Sequence, residues 1–291
     1  MVNRAPRAAG RTARVVVFNA RFGSRLNGIL ACFRRPPLDR AEVILLCEAD
    51  WRLARSGGRE IAAELAGALG LSFAYVPEFA MGAARPREAF IGNAILCAQP
   101  LEDVRGIVLP RFSSSWRRVS LVGAPRAITA SARFGGRRIA IGLAHLNSRC
   151  APALRARQMA VFMNAFDPRG PAIIGGDWNT TTVELATPAA LAMVAARMAL
   201  RPRRFRYPQP YEPLFDEIAR RGFAIDGANR AGAPTFTFAR AIPPPLRPKL
   251  DWIAARDLSA ISGSARVVPA RPGWRAVRVS DHDFVICDFA V

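Results

Sequence analysis

Polar side chains stand at the ends of short apolar runs along this sequence of 291 residues. In layered α/β folds the ends of strands form the rim where ligand sites gather, so we expect these side chains to meet. Both histidines of the chain lie at such ends, together with carboxylates, and helix or turn caps do not explain this joint occurrence. The residues are Asn19, Glu48, His145, Asp177, Asn179, Asp251, Asp281 and His282.

These residue types indicate one kind of chemistry. Carboxylate, amide and water oxygens suit Mg²⁺, Mn²⁺ or Ca²⁺ rather than zinc. Carboxylates with two histidines, and without a serine or cysteine nucleophile motif, favour metal-assisted attack of water on a phosphoryl group. The sequence has no Walker-type glycine loop and no GxGxxG fingerprint, which argues against nucleotide-driven and hydride-transfer chemistry.

The chain is strongly basic, since 42 Lys plus Arg against 22 Asp plus Glu leave a formal charge of +20. Such a surface attracts polyanions such as nucleic acid or anionic lipid. Lys249 is the only lysine, however, so a compositional bias toward arginine codons explains the charge equally well. The charge supports a phosphate-bearing substrate without establishing one.

The cysteine and hydropathy patterns limit the class of protein. The five cysteines are odd in number and scattered, which indicates the reduced thiols of a cytoplasmic protein rather than disulfides or a zinc site. No apolar run approaches the roughly 20 residues that span a bilayer, so no stable membrane insertion is expected. No protein partner is predicted.

The elements that must position the polar residues are short strands and amphipathic helices. Most strand runs lack clean alternation, which is typical of strands covered on both faces. Helices interspersed with lone strands and a hairpin predict a mixed α/β sandwich. Two proline-rich segments, Arg201–Pro213 and Ala241–Pro248, are predicted loops. The predicted strands are Arg14–Phe18, Val43–Cys47, Ser72–Val76, Gly92–Leu96, Arg126–Arg133, Arg137–Ala144, Ala172–Ile174, Leu250–Ala254, Ala265–Val268 and Phe284–Phe289, and the predicted helices are Arg59–Leu69, Pro152–Phe166, Pro188–Leu200 and Pro213–Arg221.

A series of short motifs runs in order along nearly the whole chain. The motifs are Asn19, Glu48, Gly92-Asn93-Ala94-Ile95-Leu96, His145-Leu146, Gly176-Asp177-Trp178-Asn179, Leu250-Asp251-Trp252-Ile253 and Ser280-Asp281-His282. Together they resemble the endonuclease/exonuclease/phosphatase superfamily, which includes deoxyribonuclease I, exonuclease III, neutral sphingomyelinases and inositol-polyphosphate phosphatases. One such tetrapeptide would be weak evidence, whereas this ordered set is specific.

The resemblance implies the α/β (α+β) class and a four-layer αββα sandwich, in which two mainly antiparallel sheets pack face to face with helices outside. It also implies a single domain over residues 14–291, because the site takes residues from both ends of the chain. Residues 1–13 would then form a basic N-terminal extension. The implied cofactor is Mg²⁺, with Mn²⁺ as an alternative.

The resemblance also implies a metal site. Glu48 would be the principal ligand of the metal, helped by Asn19 and Asp281. Asp177 would hold or deprotonate the attacking water. Asn179 would bind the phosphate or a second metal.

Two histidines would complete the catalytic set. His282 would contact the phosphoryl oxygens, oriented by Asp251 through its other ring nitrogen. His145 is similar to the histidine of the deoxyribonuclease I, sphingomyelinase and inositol-phosphatase branch, where it would protonate the leaving oxygen or bind the phosphate. Glu78 is the expected partner of His145, with a surface loop charge as the alternative. Asn93 would support the site by hydrogen bonds.

Arginines near these motifs are candidates for binding the substrate. Arg52 and Arg55 follow the expected metal ligand directly, while Arg203 and Arg204 lie in a segment that mixes arginines with aromatic residues. A solvated basic loop is the alternative for that segment. The five tryptophans are interpreted as core or packing residues.

The expected function is that of a Mg²⁺-dependent phosphodiesterase or nuclease acting on nucleic acid. The alternatives are a phosphodiesterase or phosphatase on a phospholipid headgroup, an inositol phosphate or a small phosphoester, and a non-catalytic basic binding module. A lipid enzyme would show an exposed apolar loop, and none is recognised in the sequence.

Overall fold

The computed structural model describes residues 1–6, 10–80, 88–112, 122–167, 169–182, 192, 196, 200–237 and 246–291. The strands of this part of the chain are β1 (Thr12–Phe22), β2 (Val43–Trp51), β3 (Ser72–Ala80), β4 (Phe90–Cys97), β5 (Glu102–Val108), β6 (Val122–Gly123), β7 (Arg126–Phe134), β8 (Arg137–Leu143), β9 (Ala172–Asp177), β10 (Asp251–Arg256), β11 (Arg266–Val268) and β12 (Phe284–Ala290). They form one sheet of seven strands in the order β11-β12-β1-β2-β4-β3-β6 and one of five in the order β10-β9-β8-β7-β5. The β1–β2 and β8–β9 pairs are parallel, and the other pairs are antiparallel.

The helices pack on the outer faces of the two sheets. They are α1 (Leu26–Phe33), α2 (Ile61–Leu69), α3 (Pro152–Met163), α4 (Arg203–Arg206) and α5 (Leu214–Arg220), with 3₁₀ turns at Leu38–Arg40, Ala54–Ser56 and Gln209–Tyr211. One buried cluster joins α1 and α2 to the seven-stranded sheet, a second lies between the sheets, and a third joins α3 and α5 to the five-stranded sheet. The architecture is therefore the expected sandwich of helix, sheet, sheet and helix.

Strand β1 shows why the central strands are apolar without alternation. Val15 and Val17 belong to the cluster between the sheets, whereas Val16 and Phe18 belong to the cluster under α1 and α2. Both faces of the strand are thus removed from water, which confirms the expectation drawn from the continuous apolar run.

Strand direction brings the polar residues to one edge. Because β1 and β2 are parallel, Asn19 and Glu48 lie toward the same end of the seven-stranded sheet. Asp177 ends β9, and Asp251, which begins the antiparallel β10, is its direct partner. The two sheets meet at this edge, since the Asn19 side chain donates a hydrogen bond to Asp177.

Several elements differ from the sequence prediction. The helix α1 and the strands β5 and β6 were not predicted. The segment Arg201–Pro213 is not a loop throughout, because it contains α4 and a 3₁₀ turn. The predicted helix over Pro152–Phe166 ends at Met163. Most of the predicted helix Pro188–Leu200 and residues 241–245 lie outside the described residues.

The beginning of the chain contacts the sheet. Strand β1 starts at Thr12, two residues before the predicted start. Further back, Val2 pairs with Phe73 of β3 through two backbone hydrogen bonds of 2.9 Å. The Asn3 side chain donates to the carbonyl oxygen of Leu101. Part of the segment treated as a basic extension is therefore paired with the sheet.

Candidate active site

Two carboxylates meet around one amide at the sheet edge. The Nδ2 of Asn19 donates to Oε1 of Glu48 at 3.1 Å and to Oδ2 of Asp177 at 3.0 Å. Glu48 has a left-handed φ of 52°, and the pairing of β2 with β4 shifts register between Leu46 and Ala49. Such a bulge redirects a side chain out of the regular strand pattern, and here it accompanies the turn of Glu48 toward Asp177.

The second group is a buried carboxylate, imidazole and carboxylate in contact. His282 Nδ1 lies 2.8 Å from Oδ2 of Asp251, and His282 Nε2 lies 3.6 Å from Oδ2 of Asp177. Phe236 packs edge-on against the imidazole at 4.9 Å between ring centroids. The His282 ring is therefore fixed on two sides, with Nε2 facing Asp177.

The other histidine faces three carboxylates. His145 Nε2 lies 3.7 Å from Asp177 and 3.9 Å from Glu48, and its Nδ1 lies 4.0 Å from Oε2 of Glu78. Glu78 is buried, and its Oε1 accepts the backbone N–H of Arg126 at 3.0 Å. The structure thus places Glu78 beside His145 rather than on the surface.

Burial and charge together set the protonation states of this cluster. Burial lowers the pKa of His282, but the carboxylates of Asp251 and Asp177 outweigh it and raise that pKa to about 10. Burial raises the pKa of Asp177 to about 6, against the two histidines. Burial likewise raises the pKa of Glu78 to about 7. The pKa of His145 is also raised, because Asp177, Glu78 and Glu48 together outweigh the effect of its burial. At neutral pH, His282 is therefore protonated beside an ionised Asp177.

The amide residues support the carboxylates. Asn179 donates its backbone N–H to Oδ1 of Asp177 at 3.0 Å and its Nδ2 to the carbonyl of Leu146 at 2.9 Å. Asn93 donates its Nδ2 to the carbonyl of Arg126 at 3.0 Å. Since the N–H of the same Arg126 binds Glu78, Asn93 and Glu78 hold one peptide segment between them.

Asp281 lies at the rim of the site. Its Oδ2 is 3.7 Å from Nε of Arg21, and its backbone oxygen accepts the N–H of Thr237. The preceding Ser280 donates its hydroxyl to the carbonyl of Asn19 at 2.7 Å. The segment Ser280–His282 is therefore tied directly to the end of β1.

The donor set fits a hard divalent cation. Glu48 and Asp177 both accept from the Asn19 amide, so two carboxylates lie side by side, and oxygen donors of this kind suit Mg²⁺ or Mn²⁺. Asp177, Asp251 and His282 also each offer one ligand atom within 4.8 Å of the others. In that second group Nδ1 of His282 is engaged by Asp251, which favours an orienting hydrogen bond over metal ligation.

The two arginines after Glu48 are engaged by acidic side chains. Arg52 donates to Glu60 at 2.6 Å and has a side chain 56% exposed. Arg55 donates Nε and Nη2 to the buried Asp50 carboxylate at 2.8 and 2.7 Å, and its guanidinium lies 3.6 Å from the centre of the Phe22 ring. The structure thus uses Arg55 to neutralise Asp50.

The other two arginines lie on α4. The Arg204 guanidinium stacks over Tyr211 at 4.7 Å. Arg203 lines a cavity with Tyr207 and Tyr211.

The tryptophans divide into two kinds. Trp178 and Trp252 are buried and stack with an interplanar angle of 8°, as expected of packing residues. The packing interpretation is wrong for Trp274, because its side chain is 78% exposed to solvent on the segment between β11 and β12. Trp116 lies outside the described residues.

Two hydroxyl residues of the site were not predicted. Ser280 accepts the backbone N–H of His282 at 3.1 Å, and its place in the Ser280-Asp281-His282 motif was an available signal. Thr235 accepts the N–H groups of Leu250 and Asp251 at 2.9 and 3.0 Å. No local sequence pattern marks Thr235, since it lies in an irregular segment.

Comparisons with solved structures find the same fold. An endonuclease/exonuclease/phosphatase from Beutenbergia cavernae is 18% identical, with 97% of this chain and 72% of that chain covered and a TM-score of 0.65. D. rerio TDP2 complexed with single strand DNA product is 14% identical, with 96% and 99% covered and a TM-score of 0.58. Sphingomyelinase C from Streptomyces griseocarneus is 14% identical, with 95% and 99% covered and a TM-score of 0.54.

Sequence comparison identifies the family. A search of curated protein sequences finds no match. No helix in the described ranges is long and apolar enough to cross a membrane. The sequence model of the Endonuclease/Exonuclease/phosphatase family matches residues 16–282. The chain therefore belongs to the Endonuclease/Exonuclease/phosphatase family, a family of metal-dependent phosphoester hydrolases.

Proposed function

We propose that the protein is a phosphodiesterase that hydrolyses nucleic acid, with Mg²⁺ or Mn²⁺ held by Glu48 together with Asn19, Asp177 and Asp281. One observation carries the hydrolytic part of the proposal. Oδ2 of Asp177 lies 3.0 Å from Asn19 Nδ2 and within 3.6 and 3.7 Å of the Nε2 atoms of the two histidines. A carboxylate between two proton donors is suited to hold water while both donors face the phosphate.

The residues divide the proton transfers between them. When bound, a divalent cation offsets the charge that develops on the phosphoryl oxygens and aligns the water. Asp177, whose pKa is about 6, is mostly ionised at neutral pH, so it orients the water and accepts its proton. His282 donates from Nε2 to a phosphoryl oxygen, while Asp251 keeps Nδ1 engaged and fixes the ring.

His145 serves the other side of the reaction. Its burial is outweighed by the carboxylates of Asp177, Glu78 and Glu48, which raise its pKa and so favour the protonated imidazole. Donation of that proton from Nε2 to the departing oxygen makes a better leaving group. Glu78 holds the opposite nitrogen of the ring toward the interior.

The nucleic-acid part of the proposal depends on charge and on likeness. The formal charge of +20 favours a polyanionic substrate over a small neutral one. Among the similar structures, the TDP2 of D. rerio is in complex with single strand DNA product.

Nicking of supercoiled plasmid by the purified protein tests this proposal. We expect nicking in Mg²⁺ that EDTA abolishes, and a loss of at least about 100-fold in Asp177→Ala. Asp216→Ala, which removes an exposed carboxylate on α5, is the matched control and should nick like the wild type. Absence of cleavage of both the plasmid and a single-stranded oligodeoxynucleotide, by protein that binds Mg²⁺ in calorimetry, would overturn the nucleic-acid part.

A second candidate substrate is a phospholipid headgroup. Trp274 and Val277 are 78% and 70% exposed on the segment between β11 and β12, which also contains His282. The guanidinium of Arg275 lies 4.2 Å from the Trp274 ring, and Arg–Trp pairs suit the interface of an anionic membrane. Hydrolysis of phosphatidylcholine or sphingomyelin in vesicles, reduced in Trp274→Ala, would favour this candidate.

A further inference from the structure

A small cavity opens on the segment that links β9 to β10. It has a volume of about 250 Å³ and is lined by Arg203, Tyr207, Pro210 and Tyr211. The two tyrosines are 44% and 37% exposed, so their rings are accessible from solvent. Among the described residues, no aliphatic side chain longer than proline lines this cavity.

The surroundings of the cavity are cationic. The segment 201–211 contains four arginines and no acidic residue. The next residue, Glu212, does not offset this charge, because it is buried and paired with Arg155 at 2.6 Å. The Arg204 guanidinium stacks on Tyr211, while Arg203 makes no ion pair with any residue that the structure describes. Aromatic faces and guanidinium groups thus occur together, as in sites that bind nucleic-acid strands.

Hydrogen bonds fix this segment beside the catalytic residues. Glu212 accepts the backbone N–H of Thr181 at 2.7 Å, and Thr181 is two residues beyond Asn179. On the other side, the backbone N–H of Lys249 donates to the carbonyl of Phe205 at 2.9 Å. Lys249 stands two residues before Asp251 in the sequence. Since consecutive Cα atoms are about 3.8 Å apart, each anchor lies within roughly 8 Å of a catalytic residue.

We propose that the cavity between Tyr207 and Tyr211 is a subsite for one unpaired nucleobase of a single-stranded substrate, with Arg203 on the adjacent phosphate. The inference rests on the proposed function and narrows it to single-stranded nucleic acid. A base in a duplex is stacked on its neighbours and cannot enter the cavity, whereas a base in a single strand can rotate onto a tyrosine ring. The aromatic walls favour a planar base over an acyl chain.

Binding in EDTA tests the subsite separately from turnover. The probe is a fluorescent thymidine oligodeoxynucleotide of about 12 residues, compared with an abasic strand of the same length. We expect the thymidine strand to bind more tightly than the abasic strand. Tyr207→Ala or Tyr211→Ala should weaken the binding of the thymidine strand about 10-fold. Phenylalanine at either position should restore the binding, because the ring makes the contact.

Two arginine variants distinguish loss of the proposed contact between Arg203 and a phosphate from loss of one positive charge elsewhere on the protein. Arg203→Ala should weaken both strands and reduce the slope of log affinity against log salt by about 1. Arg137→Ala removes the same charge at the β7–β8 turn, and its effect should be smaller. Thermal unfolding shows whether each variant is folded.

The failures of the two proposals differ. Equal affinity of the wild type for thymidine and abasic strands, or an equal loss for both in the tyrosine variants, would overturn the subsite even if plasmid is nicked. Tighter binding of duplex than of single strand would also overturn it. Base-dependent binding without Mg²⁺-dependent cleavage of either plasmid or a single-stranded oligodeoxynucleotide would contradict the proposed function and leave the subsite standing.

Discussion

Asp251 and Asp177 are direct partners in the antiparallel β9–β10 pair, and the imidazole of His282 lies between their carboxylates. The two aspartates belong to the five-stranded sheet, whereas His282 lies two residues before the β12 strand of the other sheet. The contact therefore joins the two sheets. Its geometry depends on how the sheets pack, so a local loop alone cannot produce it.

Replacing Asp251 with asparagine should release His282 from its raised pKa. Loss of the carboxylate at 2.8 Å should lower the pKa of His282 by about 1–3 units from its value of about 10. Turnover should fall about 100-fold, because the carboxylate no longer holds the imidazole ring with Nε2 toward the phosphate. NMR titration of metal-free protein measures the pKa directly, since the chain has only two histidines. Asp226→Asn, an exposed carboxylate, is the control, and an unchanged pKa in Asp251→Asn would contradict the assignment.

Removing the charge of Glu78 should act on His145 rather than on the fold. In Glu78→Gln the side-chain oxygen can still accept the N–H of Arg126, but the negative charge 4.0 Å from Nδ1 of His145 is gone. We expect a lower pKa of His145 and a turnover reduced by about 10-fold. Glu42→Gln is the matched control, because Glu42 accepts the N–H of Arg14 well away from the site. A turnover equal to that of wild type would show that Glu78 does not act on His145.

The sequence predicted the strands better than the helices, and the reason is burial. Ten strands were marked by apolar runs, and β1 shows that such runs are continuous because both faces are covered. Strand β5 was missed because most of its residues are exposed. Its sequence therefore includes the charged residues Glu102 and Asp103 and forms no apolar run. The helix α1 was missed because Gly28 in its sequence disfavours a helix. The structure explains this glycine, since Val279 packs too closely for a side chain to fit there.

The position of a site residue could be predicted from the sequence where that residue begins or ends a strand. It could not be predicted where packing decides what the side chain contacts. Asp177 and Asp251 end or begin strands, so the apolar runs beside them mark their position. Arg55 is a candidate phosphate ligand in the sequence, and its ion pair with the buried Asp50 is visible only in the structure. Trp274 reads as a packing residue because tryptophan is apolar, and only the loop conformation shows its exposure.

The buried ion pair of Arg155 and Glu212 should matter strongly for stability. Both side chains are fully buried, and Arg155 also donates to the carbonyls of Cys150 and Thr182. Arg155→Met leaves the Glu212 carboxylate without its partner and should lower the free energy of unfolding by about 3–5 kcal/mol. Urea unfolding measures the change.

The controls for this ion pair use the same helix. Arg157→Met, an exposed position on α3, should change the free energy of unfolding by less than about 1 kcal/mol. The double variant Arg155→Met with Glu212→Leu should recover part of the loss, since no unpaired charge is left. If Arg155→Met alone were as stable as the wild type, the Glu212 carboxylate would have to be solvated.

Lys249 should make the stability of the protein depend on alkaline pH. Its ammonium group is buried without a hydrogen-bond partner among the described residues, 4.4 Å from the centre of the Trp252 ring, and burial lowers its pKa to about 8. Because the unfolded chain still binds this proton up to about pH 10.5, the cost of burying the charge is fully present below pH 8. The free energy of unfolding should therefore rise between pH 8 and 10.5, by about 3 kcal/mol.

Lys249→Met tests this dependence, because methionine can pack against Trp252 without carrying a charge. The variant should be more stable than the wild type at pH 7, by up to about 3 kcal/mol, and this advantage should vanish as the pH approaches 10.5. Urea unfolding of both proteins at several pH values gives the difference in their free energies of unfolding. The contributions of the other titrating groups are common to both proteins and cancel in this difference. A difference that stays constant across this range would mean that Lys249 keeps its ordinary pKa in the folded protein, and that its ammonium group reaches water.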